Sequence, residues 1–273
     1  VSIKISARVG AIAIFAGTLG AAGGCTPTLQ QELQLGQQTA AQLNAQLPLV
    51  QDGAAVQYIN QLGTSIARSA DPRGVQYRFY IVNAPEVNAF AVPGGHIYVN
   101  RGLIERARNV SELAGVLAHE IGHVTQRHGV EQWARAQRAN LGLSVLYGVL
   151  LGRNPSGVES AAIQVGGAGV FSGYSREAER EADNVAIQYL LNAGIDPRGM
   201  VSMFETLISE RQRNPGALEQ WFATHPTTEE RIRNTQAAIA RLPASTLRGL
   251  TTNTQAFSDF QGRVRRLPAT ARR

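Results

Sequence analysis

Cysteine is almost missing: among 273 residues there is one, Cys25. That excludes an intramolecular disulfide framework and a zinc knuckle built from several cysteines. Charged residues are sparse at 17%, while hydrophobic ones reach 44%, so the chain can bury a core and is no disordered polymer. Long apolar runs are also lacking. Residues 9–19 and 141–151 are each far shorter than the roughly 20 residues a membrane-spanning helix needs. No period of repeat-protein length recurs. The net charge of +6 implies a polyanion partner only if it sits on the body of the protein. It does not. Residues 1–24 carry Lys4 and Arg8 without an acid, and residues 246–273 carry Arg248, Arg263, Arg265, Arg266, Arg272 and Arg273 against Asp259. The remainder is close to neutral, so no nucleic-acid partner is expected.

The two ends therefore read as appendages. Residues 1–24 have the parts of an export signal: a basic start, the apolar run 9–19, then Ala21, Ala22, Gly23 and Gly24. Cys25 follows directly, as in a lipoprotein-type signal peptide whose cysteine becomes the lipidated first residue of the mature chain. A general secretory signal with a chance cysteine is the competing reading. Thr26, in place of Asp, points a lipoprotein to the outer membrane. Residues 246–273 read as a basic, flexible C-terminal tail. Residues 25–245 are left as one domain.

Within that domain, residues 29–47 and 54–69 have helical patterns. Tyr77, Phe79 and Ile81 alternate as a strand does, and residues 88–92 and 96–100 are extended runs around Pro93-Gly94-Gly95, a hairpin signal. Beyond Asn109 the pattern is helical. A small sheet followed by helices makes the fold class α+β. Residues 141–171, apolar and glycine-rich, fit either a flap over a cleft or a core helix with a loop.

Residues 119–123 read His-Glu-Ile-Gly-His, an HExxH motif. Positions i and i+4 share a helix face, so His119 and His123 can reach one metal ion, and Glu120 is rotated by about 100° towards an attacking water. Asn109 and Glu112 have capping-box spacing, with Ser111 a competing cap. Gly122 costs the helix about 1 kcal/mol relative to alanine, which fits a close approach by another backbone. The alternative is a core helix with two ordinary histidines. A zinc site needs a further protein ligand. Glu179 and Asp183, four apart on a helix that Ser175 can cap and Gly194 can end, are candidates on an inward face. Zinc would offset the desolvation of Glu179, and a histidine N–H that of Asp183. Glu179 could equally be a surface acid; Glu177, Arg180 and Glu181 read as a solvated face.

HEIGH on one helix, EREAD on a later one, NAFAVPGGHIYVNRGLI before them and THPTTEERI after them resemble the CAAX-prenyl-protease/HtpX family of zinc gluzincins. The likeness is nearest to its soluble, exported branch and covers residues 29–242. It implies a mostly helical protease domain with one Zn2+, held by His119, His123 and Glu179, with Glu120 as general base and Asp183 supporting a ligand. It also implies that Asn88, Ala89 and Phe90 lie on an edge strand beside the active-site helix, where substrate adds as a further strand. His225 matches a family position near the metal, as a fourth ligand or a catalytic donor; otherwise it is a turn histidine. Arg231 could pair with Asp183 or polarise a carbonyl, or it is an ordinary helix arginine. His128 reads as structural, and His96 as facing a groove or solvent. Members of this branch often add tetratricopeptide repeats, which are not expected here. The implied activity is that of a zinc metalloendopeptidase cleaving misfolded or unassembled envelope proteins, anchored to a membrane through Cys25. The alternative is a self-inhibited zinc lipoprotein that acts as an assembly chaperone.

Overall fold

The computed structural model describes residues 27–138, 173–226 and 229–268. The leader 1–24, Cys25 and the stretch 141–171 lie outside the described residues. Helix α1 (Leu29–Gln46) starts from a capping box, in which Thr28 accepts from Gln31 N–H and the Gln31 side chain accepts from Thr28 N–H. Helix α2 (Gly53–Ala67) is capped by Asp52. Three strands follow, β1 (Arg78–Val82), β2 (Ala89–Val92) and β3 (His96–Asn100), in the order β1-β3-β2. β3 runs parallel to β1 and antiparallel to β2. Gly94 and Gly95, with φ of +79° and +88°, make the hairpin turn.

Strand alternation divides the core. Phe79, Ile81, Ile97 and Val99 join the main core with residues of α2 and of the HExxH helix, whereas Val82, Phe90, Val92 and Tyr98 meet Leu43 of α1 on the other face. After α3 (Arg101–Arg106) comes α4 (Val110–Thr125), which carries HExxH and is buried from Val110 through Val124. Asn109 caps it, accepting from Glu112 N–H at 3.0 Å. The Glu112 carboxylate reaches back to Arg108 N–H instead of Asn109 N–H, and Ser111 donates to Asn109. Then follow α5 (His128–Arg138), α6 (Arg176–Asn192), α7 (Arg198–Arg213), a 3-10 turn (Pro215–Leu218), α8 (Glu219–Thr224), α9 (Glu229–Ala240) and α10 (Gln255–Arg265).

Helix α6 crosses α4 closely. A Cβ at Gly122 would lie 3.0 Å from Ala182 O and 3.1 Å from Ala182 Cα, so the glycine inside the motif is there to admit the backbone of α6. Helix α7 crosses the start of α4 the same way, with Gly199 against Ser111.

The reading of residues 246–273 as a flexible basic tail needs correction for residues 246–268, the part of it that is described. Thr254 caps α10, and Phe257, Phe260 and Val264 are buried in the main core. Phe260 stacks on Tyr58 of α2 with centroids 4.4 Å apart, and Gln261 donates to the carbonyls of Ile104 and Ala107. The strand-like segment before it bonds Thr251 to Gly194 and Asp196, and Thr252 O accepts from Ser111 N–H. An apolar stripe at i, i+3 and i+7 orders the helix; Arg263, Arg265 and Arg266 occupy its solvent side. The folded unit thus continues past residue 245.

Candidate metal centre

Helix α4 presents His119 and His123 one turn apart, with Nε2 atoms 3.0 Å from each other. Helix α6 brings Glu179 opposite them: its Oε1 is 3.3 Å from His123 Nε2 and its Oε2 is 3.6 Å from His119 Nε2. At the end of α8, His225 places Nδ1 3.1 Å from Glu179 Oε1 and 3.4 Å from His119 Nε2. One donor atom from each of these four buried residues lies within 4.8 Å of the others. Tetrahedral ligands of an ion about 2.0–2.1 Å away are separated by roughly 3.3–3.4 Å, so the spacing fits a zinc-sized cation. A nitrogen-rich set with one carboxylate is also the donor chemistry such an ion takes.

Charge supports the same conclusion. Burial, reinforced by His119, holds the His123 imidazole well below its usual range, so the ring is neutral. Burial would raise the Glu179 carboxyl, but the positive fields of His225, Arg231 and His119 outweigh it and keep the group anionic. Burial would lower His225, yet Glu120 and Glu179 together raise it. Glu120 is fully buried with Oε1 3.4 Å from His225 Nε2, and burial pushes its carboxyl up against the pull of His225 and His119. That is the direction a proton acceptor needs to work near neutral pH.

Asp183, one turn beyond Glu179, lies 2.9 Å from His119 Nδ1. It is clamped by Arg231 of α9, whose Nε and Nη2 donate to its two oxygens at 2.8 and 2.7 Å. Burial opposes ionisation of Asp183, but Arg231 prevails and lowers its pKa. Arg231 also pairs with Glu179. Of the readings of Arg231, the pair with Asp183 is the one the structure forms.

Asn88, Ala89 and Phe90 are buried, the last two in β2. Among the described residues β2 pairs with no strand but β3, so its other side is a sheet edge. A crevice lined by Ala91, Val92 and Pro93 on one side and His123, Val130 and Tyr174 on the other runs beside that edge. His96 is away from the donors, stacked on Tyr80 with its Nδ1 3.2 Å from the Tyr80 hydroxyl.

Three neighbours escaped the sequence reading. Tyr174 stacks flat on His123 with centroids 3.7 Å apart, and its N–H donates to Thr224 O, tying the start of α6 to the residue before His225. Burial pushes the Tyr174 phenol up, so it stays neutral. Trp221 lies beneath His225, with ring centroids 4.8 Å apart. Glu181, read as solvated, contacts His128. The one available signal was position: Tyr174 directly precedes the cap of the helix that carries Glu179.

Among the described residues, no helix is long and apolar enough to cross a membrane. The chain is 33% identical over 247 residues to the β-barrel assembly-enhancing protease of Escherichia coli (strain K12), covering 89% of this chain and 49% of that protein. It is 34% identical over 234 residues to the putative β-barrel assembly-enhancing protease of Vibrio cholerae, covering 82% and 47%. To metalloprotease YcaL of Escherichia coli (strain K12) it is 29% identical over 189 residues, covering 66% and 68%. The chain spans about half the length of the β-barrel assembly-enhancing proteases it matches. Residues 54–239, from α2 to α9 and including every converging donor, match peptidase family M48, and the chain belongs to that family.

Proposed function

We propose that this protein is a zinc-dependent metalloendopeptidase that hydrolyses peptide bonds in misfolded or unassembled envelope proteins. The carrying observation is the convergence of His119, His123 and Glu179 beside the buried Glu120. The names of the relatives, β-barrel assembly-enhancing protease and metalloprotease, support the activity and the class of substrate. The export-type leader and the placement of Cys25 support an outer-membrane lipoprotein on the periplasmic side.

A zinc ion held by these three residues would polarise the scissile carbonyl and acidify an attacking water. Glu120 accepts the proton of that water and delivers it to the leaving amine. His225, drawn towards protonation by Glu120 and Glu179, donates to the developing oxyanion. Asp183 and Arg231 hold His119 in place, and β2 lends backbone hydrogen bonds to an extended substrate beside it.

His225 also supports the second reading. Its Nδ1 stands among the donor atoms, so as a fourth ligand it would close the position the reaction needs, leaving a self-inhibited protein able to act as an assembly chaperone. Casein hydrolysis and zinc content of the wild type, Glu120→Gln and His225→Ala separate these readings. The protease reading expects one zinc in wild type and Glu120→Gln, with hydrolysis lost in the Gln variant and reduced about 100–1,000-fold in His225→Ala, which lacks the oxyanion donor. Retained hydrolysis in Glu120→Gln rejects Glu120 as the base. A silent wild type that His225→Ala activates supports the self-inhibited state.

A further inference from the structure

One buried histidine near the centre is not among the converging donors. His128 places Nδ1 2.8 Å from His123 Nδ1 and Nε2 3.1 Å from Glu181 Oε2. His123 directs Nε2 at the donor cluster, so that atom must carry the lone pair if it is to hold a cation. The proton of a neutral His123 then sits on Nδ1, where it faces a second imidazole nitrogen. His128 must offer a lone pair there, which leaves its own proton on Nε2, aimed at the Glu181 carboxylate. In this arrangement every nitrogen that faces a partner meets a matching donor or acceptor. Nδ1 of the other motif histidine, His119, lies 2.9 Å from Asp183, which Arg231 holds.

The backbone is bent to make this contact. Had α4 continued, residue 128 would stand about 140° around the helix from residue 123. Instead Arg127 takes φ +60°, in the left-handed region that residues with side chains rarely adopt, and α5 begins at His128. Glu32, buried in α1, holds the bend by accepting from Arg127 Nε at 2.9 Å. The turn returns the His128 ring to the side of His123 away from the cluster.

We propose that His128 is a positioning residue: braced by Glu181, it fixes His123 in the Nδ1–H tautomer and aims its Nε2 at the metal. The inference rests on the reading that His123 holds a metal ion. It is tested on the full chain by competing a chromogenic chelator for zinc, in wild type, His128→Asn and His128→Phe. Asparagine retains an acceptor near the position of Nδ1, whereas phenylalanine keeps the ring and loses the acceptor. His128→Phe is expected to weaken zinc binding by about 10–100-fold, with His128→Asn much nearer wild type. Glu181→Gln, which still accepts and is half-exposed, should have a smaller effect than His128→Phe. In the wild-type zinc form, nitrogen-15 ring spectra should show His123 protonated at Nδ1 and metallated at Nε2, a readout that needs no folded variant. Equal affinity in wild type and His128→Phe, or metallation of His123 at Nδ1, would overturn the inference while leaving the metal reading standing. A wild-type chain that takes up no zinc overturns the metal reading and the inference with it.

Discussion

Arg231 and Asp183 form a bidentate ion pair that is almost wholly buried, at 4% exposure each. Removing one member of such a pair costs about 3–5 kcal/mol, because the other is left charged away from water. The pair also sets a pH dependence. Asp183 titrates lower in the folded chain than unfolded, despite its burial, because of Arg231. Its contribution to stability is therefore complete above the unfolded carboxylate pKa, about 3.9, and is lost as pH falls through the folded value. Glu179, held well below its usual range against its burial, acts in the same direction. In urea unfolding of the chelator-treated protein, stability should fall steeply below about pH 4. Asp183→Asn should be less stable at pH 7 and should lose stability less steeply on acidification, with Glu179 providing what slope remains. An unchanged slope in that variant would remove the pair as its source.

At the scale of elements, the centre depends on how closely α4 and α6 approach. Gly122 sits between the two motif histidines, against backbone atoms of Ala182 that cannot rotate away. Gly122→Ala should gain helix propensity of about 1 kcal/mol and lose about 1–3 kcal/mol to overpacking. More telling is the direction of the strain, which pushes Glu179 away from His119 and His123. Zinc affinity should therefore fall, while stability without metal shows a net loss of about 0–2 kcal/mol; equal affinity for zinc would show that the crossing has slack. Gly122 illustrates what was legible in the chain. The HExxH pair and the Glu179–Asp183 pair are each local, set by the helical period, and a glycine within a helix advertises a close neighbour. Across some 60 residues of sequence, however, periodicity cannot say that the two pairs meet; only the family resemblance joined them. His128 was hidden because helical spacing stops predicting contacts at the Arg127 bend. The Arg231–Asp183 contact joins α9 to α6, and no spacing encodes it.

For the whole molecule, the least legible feature was the C-terminal helix. Six arginines dominate the composition after residue 245 and masked three apolar positions that face inward. Helix α10 closes the fold by packing on α2 and α3, while the segment before it bonds the start of α4 and the loop after α6. Burying Phe257, Phe260 and Val264 contributes roughly 1.5–3 kcal/mol each, a sum comparable with the total stability of about 5–15 kcal/mol typical of a folded protein. The basic charges contribute far less: Arg263 pairs with Asp52 at 3.1 Å with its side chain half in water, and such pairs give about 0–1 kcal/mol. Two variants separate the roles. Ending the chain at residue 245 should abolish the cooperative thermal transition or lower its midpoint severely. Replacing Arg263, Arg265 and Arg266 with glutamine should shift the midpoint by only a few degrees. A truncated chain that melts like the full one would restore the view of this region as a mere tail. A large loss on charge removal alone would show instead that its arginines, and not its phenylalanines, hold the helix in place.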